Sequence, residues 1–355
     1  MSVNNQFFEQ HLKDVIKFHF SQETGSPFWL EKKKSFCFDP LIDVRSISHL
    51  SLFPDVSKDL KQIDVETLIP KGLSTTPIAG IFESGGTTGK PKKVIAFDNW
   101  LDELVQWRIE GSPTFMNDVP LNTLAIVPSG PHIVGDINKR RAKALGGHFF
   151  TVDMDPRWVK KLIHEKQFDM AAKYSQHIIE QIEDIVSTQD IGYLIATPPL
   201  LEIIAKNKSL VDRLNNCLQM ITWGGTQMNP DTLDYLRQRV FPKVAFNASY
   251  GNTMMLGEAR TRINSEYQDN PIFDSFSPNI IFEVRCVETP ERIADYGTRG
   301  RVLMHHLTKF AFLPNILERD TAIRLPRTDG LVGDAVSIVE PLQEISGVEV
   351  IEGVY

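Results

Sequence analysis

The sequence has only three cysteines in 355 residues, Cys37, Cys217 and Cys286, and they lie far apart. So sparse and odd a set gives no disulfide framework and no C-x-x-C metal pair, which leaves buried, reduced thiols as the plain expectation. Long apolar runs are also missing, since none approaches the ~20 residues that span a bilayer. The N-terminus, Met1-Ser2-Val3-Asn4-Asn5-Gln6, has no basic stretch leading into an apolar one. No export signal is read there, and a cytoplasmic location with no membrane partner is expected. Positive charge is in deficit, with 38 Lys and Arg against 45 Asp and Glu and a net charge of −7. That balance argues against nucleic acid as a bulk electrostatic partner. There is no internal repeat, no low-complexity linker, no H-E-x-x-H and no G-x-S-x-G.

What is present is the ordinary mixture of a globular protein, 42% apolar and 23% charged, with length enough for a substantial core. Early on, Phe7, Phe8, Leu12, Ile16 and Phe20 recur near helical spacing, and Ser57-Lys58-Asp59-Leu60 reads as a turn into another helix. From about residue 120, apolar runs at Thr123–Val127, Tyr193–Ala196 and Met220–Trp223 read as buried strands. Helical stretches at 156–166, 172–187 and 229–240 lie among them. Strands alternating with helices predict α/β layering and a largely parallel sheet. Later, Asn279–Val287 and Arg301–Leu307 read as strands with little helix between, bounded by Gly297, Gly300 and Pro314. That texture predicts an antiparallel or barrel-like portion.

The most informative stretch is Glu83-Ser84-Gly85-Gly86-Thr87-Thr88-Gly89-Lys90-Pro91-Lys92-Lys93-Val94. Three glycines let a backbone approach an anion closely. Hydroxyls at Ser84, Thr87 and Thr88 can donate to phosphate oxygens, and Lys90 and Lys92 add positive charge. A polyphosphate is the natural ligand for such a loop. It is not a Walker A motif, because only three residues separate Gly85 from Gly89 and Pro91 follows Lys90. The plainer alternative is a hairpin tip with a solvated lysine cluster.

This loop resembles the signature of the adenylate-forming superfamily: acyl- and aryl-CoA synthetases, peptide-synthetase adenylation domains and luciferases. Ser26-Pro27-Phe28-Trp29 and Leu52-Phe53-Pro54-Asp55 are similar in order to the phenylacetate–CoA ligase branch. The resemblance implies a fold, the large N-terminal α/β domain of these enzymes with a small β-barrel-like portion. The expected division is a helical segment 1–80, a nucleotide- and acyl-binding core 81–275 and a β-rich closing portion 276–355. It also implies ATP or AMP with Mg²⁺ as cofactors. Trp223-Gly224-Gly225-Thr226 resembles the family's turn beside the adenine and acyl pockets. Asn247-Ala248-Ser249-Tyr250-Gly251-Asn252-Thr253 resembles its aromatic-Gly-x-Thr-Glu motif. By that resemblance Tyr250 stacks on adenine, Thr253 contacts the α-phosphate, and Ser249, Gly251 and Asn252 line the nucleotide. Lys92 and Thr253 are then the catalytic candidates.

The family's metal-holding Glu is replaced by Met254, a poor ligand for a hard cation, so Glu258 or a phosphate-bound water is expected to serve Mg²⁺. Arg319-Asp320 resembles the segment whose Asp takes both ribose hydroxyls, a task that suits two acceptor oxygens. His132 stands where the family gates its acyl pocket, with Gly225 and Ser249 also toward the acid. His305-His306 begins an acyltransferase-like H-H-x-x-x-D-G, but Phe310 and Ala311 fill the last two positions. The family's mobile C-terminal lid carries a bridging lysine. None follows Lys309 here, so the lid domain is expected to be absent. These features together resemble the truncated adenylating proteins of phenazine antibiotic pathways, associated with converting griseoluteic acid to its D-alanyl derivative. The expected activity is ATP-dependent activation of an aromatic, phenazine-type carboxylic acid for transfer to a nucleophile. The alternative is a binding or carrier protein for that acid on the same fold. Admitted partners are a separate acyl acceptor, a lid-bearing protein or a second copy of the chain.

Overall fold

A computed structural model describes residues 3–85, 90–112, 120–262, 270–342, 344–345 and 348–349. The chain divides into two units. One comprises Met1–Leu104, Asn252–Ala259 and Phe273–Leu342, and the other Val105–Gly251, Arg260–Ile272 and Gln343–Tyr355.

The first unit opens with helix α1 (Val3–Phe20), whose Phe8, Leu12, Val15, Ile16 and Phe20 are buried. Their three- and four-residue spacing makes one stripe, and Phe7, one position off it, is 60% exposed. Helix α2 (Pro27–Lys33) starts at a Ser26 cap with proline in its first turn, and α3 (Pro40–Asp43) at an Asp39 cap. The helix expected after Ser57 is only the 3-10 turn Asp59–Lys61. There the Asp55 carboxylate accepts from Ser57 N at 2.8 Å, a local turn that competes with helical bonding. Strands β1 (Ile78–Glu83) and β2 (Lys93–Phe97) form an antiparallel hairpin that pairs Glu83 with Lys93. Helix α4 (Asp98–Glu110) follows, and its buried Trp100 donates from Nε1 to Leu256 O at 2.8 Å.

In the second unit the alternation read from sequence is realised. Strand β3 (Thr123–Ile126) is followed by α5 (Ile133–Ala144), β4 (Phe149–Thr151), α6 (Pro156–His164) and α7 (Phe168–Thr188). Strand β5 (Tyr193–Ala196) leads to α8 (Pro198–Lys206), α9 (Lys208–Cys217) and β6 (Met220–Gly224). Helix α10 (Pro230–Tyr235) precedes β7 (Ala245–Asn252), and residues expected to complete one helix form a π turn, Leu236–Val240. The strands lie in the order β7-β6-β5-β3-β4, every pair parallel. All four residues of β3 and of β5 are buried, which is why they read as unbroken apolar runs.

After β8 (Gly257–Thr261) and β9 (Ile272–Asp274), the chain completes the first unit with β10 (Ile280–Arg285), β11 (Arg299–Leu307), β12 (Phe312–Leu325) and β13 (Ala335–Pro341). These last four pair antiparallel in sequence order, as the change of texture predicted. The thiols depart from expectation: Cys37 is exposed, and Cys217 and Cys286 are half-buried. Cys217 ends a helix, where its sulfur reaches Asp190 Oδ1 at 3.3 Å, so no apolar core encloses it.

Half-buried His11 and buried His19 join α1 to the turn between β11 and β12. His11 Nε2 donates to Leu307 O at 2.8 Å and His19 Nε2 to Thr308 O at 2.7 Å. His306 donates from Nδ1 to Met255 O at 2.9 Å, which leaves Nε2 to accept from the Thr308 hydroxyl. Burial lowers both His19 and His306 to about 4 from 6.5, and the charge on His19 further opposes protonation of His306. A folded value below the unfolded one means the stability is whole above pH 6.5 and is lost as pH falls toward about 4. Each ring therefore withdraws about 2 kcal/mol at about pH 5. Urea midpoints measured from pH 7.5 down to 5 should fall, and His19→Gln should flatten that fall. An unchanged pH dependence in the variant would remove His19 from the account.

Candidate functional site

In the first unit, three segments remote in sequence come together around the neck of the β1–β2 loop. Gly86, Thr87, Thr88 and Gly89 lie outside the described residues. At the neck, Ser84 N donates to Lys92 O and Lys92 N donates to Ser84 Oγ, both at 2.9 Å. Because Ser84 Oγ accepts from the backbone, its own proton points elsewhere and suits an anion's oxygen. Gly85 and Lys90 are exposed on the loop.

The second segment is the turn after β7. Asn252 Oδ1 caps it by accepting from Met255 N at 3.0 Å, and its amide donates to Met304 Sδ at 3.3 Å. That cap holds Thr253, whose hydroxyl donates to Glu83 O at 3.3 Å beside the loop's entrance. Met254 follows and is 2% exposed, so its thioether belongs to the core. Glu258 on β8 is buried as well.

The third segment is β12. Glu318 and Asp320 are two residues apart on one strand, across an irregularity in its pairing with β11, and the charge on Asp320 is felt at Glu318. Glu318 Oε1 lies 3.5 Å from Lys92 Nζ, with side chains 13% and 17% exposed. Burial pushes the Glu318 carboxyl up, Lys92 draws it down, and the charge on Asp320 pushes it up again, leaving it raised. Arg301 on β11 donates from Nε and Nη2 to the Glu318 carbonyl at 3.2 and 2.9 Å, which anchors this part of β12. Asp320, expected from the resemblance to take the ribose hydroxyls, is half-buried within a strand and paired in register with Pro341.

Sequence reasoning missed Glu318 and Arg301. The available signal was weak: a second acid two residues from Asp320 within the same strand.

The remaining candidates belong to the second unit. Gly224 ends β6 opposite Ser249 of β7. A Cβ on Gly224 would stand 2.6 Å from Ser249 O, so the glycine is required by the closeness of the neighbouring strand. Gly225 turns the chain with φ +86°, Thr226 is half-buried, Tyr250 is buried and Gly251 is exposed. His132 caps α5 just after β3, and its N donates to Gly130 O at 2.8 Å. Strands β3, β6 and β7 are parallel, so these residues gather at the carboxyl edge of the sheet, where open α/β sheets bind ligands.

Hydroxyls and ammonium groups at the hairpin neck form a donor set that fits a polyphosphate. A preformed cation cage is another matter. Among the described residues no three His, Cys, Asp or Glu side chains come together to hold a metal, and Met254 offers only a buried sulfur.

No protein-family model matches the sequence, and no curated protein matches it. Solved structures do resemble it. A 2-hydroxyisobutyryl-CoA ligase in complex with 2-HIB-AMP and CoA, in its thioesterification state, aligns with TM-score 0.65 at 14% identity, over 96% of this chain and 68% of the other. In the postadenylation state with 2-HIB-AMP, that ligase gives 0.62 at 15% identity, over 90% and 63%. ATP-bound MatB from Rhodopseudomonas palustris gives 0.50 at 14%, over 77% and 50%. The chain thus spans between half and about two-thirds of the length of these relatives. Over that length its fold is shared with these ligase structures.

The β6–β7 contact gives a direct test. Gly224→Ala forces a methyl against a backbone oxygen that cannot rotate away, and should cost about 1–3 kcal/mol of stability. Urea denaturation measures this, and a loss below about 0.5 kcal/mol would show that the two strands separate easily.

Proposed function

We propose that the protein binds ATP and a carboxylic acid and joins them as an acyl-adenylate. The observation that carries this is the convergence in one unit of the loop neck, Thr253 and the β12 acids, through Thr253 Oγ1 to Glu83 O and Lys92 Nζ to Glu318. The likeness of the fold to ligases solved with ATP or an acyl-AMP supports it. In the reaction, a carboxylate oxygen attacks the α-phosphorus in line, the bond to the pyrophosphate oxygen breaks, and a mixed anhydride forms. Lys92 and Lys90 neutralise charge spreading over the phosphates, and Ser84 and Thr253 orient the oxygens by donation. Asp320 is assigned to the ribose hydroxyls and Tyr250 to the adenine face. Gly224, Gly225 and Ser249 are assigned to the wall that the acid meets, and His132 to its gate.

Magnesium would enter on the phosphates, retaining most of its water and needing one or two carboxylates. Glu258 is the residue we assign to it. For the acid we favour an aromatic one of the phenazine type, as in the phenylacetate–CoA ligase-like branch, with the acyl group passed on to a nucleophile. The support for this finer identification is the sequence text around Ser26–Trp29 and Leu52–Asp55.

The burial of Met254 favours a second function, a carrier of the same acid in which the metal-dependent chemistry has been lost. Carboxylate-dependent ATP–pyrophosphate exchange separates the two. The enzyme should exchange label with one of a panel of aryl and phenazine acids. Lys92→Met and Asp320→Asn should each weaken ATP binding by about tenfold or more, the equivalent of ~1.4 kcal/mol. ATP affinity unchanged in both variants would overturn the nucleotide site. No exchange, with an aromatic acid still raising the melting temperature, would establish the carrier.

A further inference from the structure

We propose that Glu318 is a positioning residue for the phosphate loop, holding the Lys92 ammonium until a polyphosphate takes it and then accepting a proton in its place. The proposal deepens the nucleotide-site reading above and rests on it.

Its basis is the arrangement at the loop exit. Lys92 is fixed by its backbone to Ser84, so its side chain leaves from the neck of the hairpin, and Nζ stands 3.5 Å from Glu318 Oε1. Both side chains are less than a fifth exposed, and a lysine so enclosed needs an anion beside it. Glu318 supplies that anion at the mouth of a loop built from phosphate-binding residue types. The pairing is therefore also a competition, since every phosphate oxygen that Lys92 reaches is a charge withdrawn from Glu318.

The groups that act on Glu318 decide the outcome of that competition. Lys92 is its cationic neighbour from the loop, and Arg319 and Asp320 act from its own strand. Arg301 on β11 spends Nε and Nη2 on the Glu318 carbonyl, and Asp55 is a second acid acting on Arg301. With Lys92 in place, burial and Asp320 already hold the carboxyl above its ordinary range. Once Lys92 turns to phosphate, the carboxylate has lost its nearest cation while burial and Asp320 remain, with Arg319 the opposing charge left. One proton then passes from solvent to Glu318, Lys92 keeps its own, and the bound state carries the polyphosphate, an ammonium and a neutral carboxylic acid. The exchange removes a negative charge from beside the incoming phosphates. It also makes binding weaken as pH rises.

Calorimetric titration of the whole chain with ATP, in buffers of different ionisation enthalpy, reads the proton directly. Terminal phosphates lose their last proton with a pKa near 6, so the range from about pH 7.5 to 8.5 isolates the protein's contribution. The wild type should take up close to one proton per ATP, with affinity falling by up to about tenfold per pH unit. Glu318→Gln should take up none, bind several-fold more tightly near pH 8 and show affinity independent of pH. Glu318→Asp should restore the uptake. Equal uptake in wild type and Glu318→Gln, or none in a wild type that binds ATP, overturns the proposal while leaving the nucleotide site standing. A wild type that binds neither ATP nor pyrophosphate overturns the nucleotide site itself. Should Glu318→Gln fail to fold, Lys92→Met answers the same question. Without the lysine Glu318 is already protonated, and uptake persisting on residual binding would refute the exchange.

Discussion

Three backbone carbonyls at the turn between β11 and β12 depend on side chains from the first thirty residues. His11 serves Leu307, His19 serves Thr308 and the Trp29 indole serves Phe312, the last at 2.9 Å. A buried carbonyl left without a donor costs about 1–3 kcal/mol, so the N-terminal helices are part of the hairpin's hydrogen bonding as well as its cover. Around the same place Phe20, Trp29, Phe53 and Phe312 pack edge to face. Asn315 donates from its amide to the carbonyls of Leu50 and Phe53, which ties β12 to the segment after α3. Everything that β12 presents further along, including Glu318 and Asp320, is aimed from this anchored end.

The candidate site applies the same economy. Its donors are placed by backbone closures, namely Ser84 on Lys92, Asn252 on Met255 and Arg301 on the Glu318 carbonyl. Side chains directed by such closures need little reorganisation when an anion arrives. The cost appears in the charges. Lys92 and Glu318 share a poorly solvated place, where burial pushes the Glu318 carboxyl up and Lys92 draws it down. A site poised in this way answers to whatever removes one member of the pair.

Much of the architecture was legible in the sequence because its signals are collective. Mostly apolar runs of four or five residues matched β3, β5 and β6 almost to the residue, since a strand buried on both faces leaves little room for polar side chains. The glycine-rich stretch stood out in the sequence because an ordinary turn needs one or two special residues and this stretch has many, and the structure places its ends, Ser84 and Lys92, side by side. What stayed hidden depends on single contacts. The burial of His19 and His306 depends on carbonyls nearly 300 residues away in one case and about 50 in the other, and no local pattern announces them. Glu318 looks like any charged residue in a half-exposed strand until the loop exit is placed beside it. Phe7 misled in the opposite sense, because an aromatic side chain next to a stripe is easily counted into it. The cysteines were assigned to the core on residue type alone, and the ends of α2 and α9 lie at the surface.

Met254 has a consequence for descent. Its side chain fills space in the interior at 2% exposure. Replacing it by glutamate would introduce a charge into a volume shaped for a thioether, a burden of several kcal/mol unless a cation or a proton accompanied it. Against a total stability of about 5–15 kcal/mol, that single step would often be lost before any catalytic benefit could be selected. The position therefore works as a ratchet, and any carboxylate this neighbourhood came to need would have to arise at another residue.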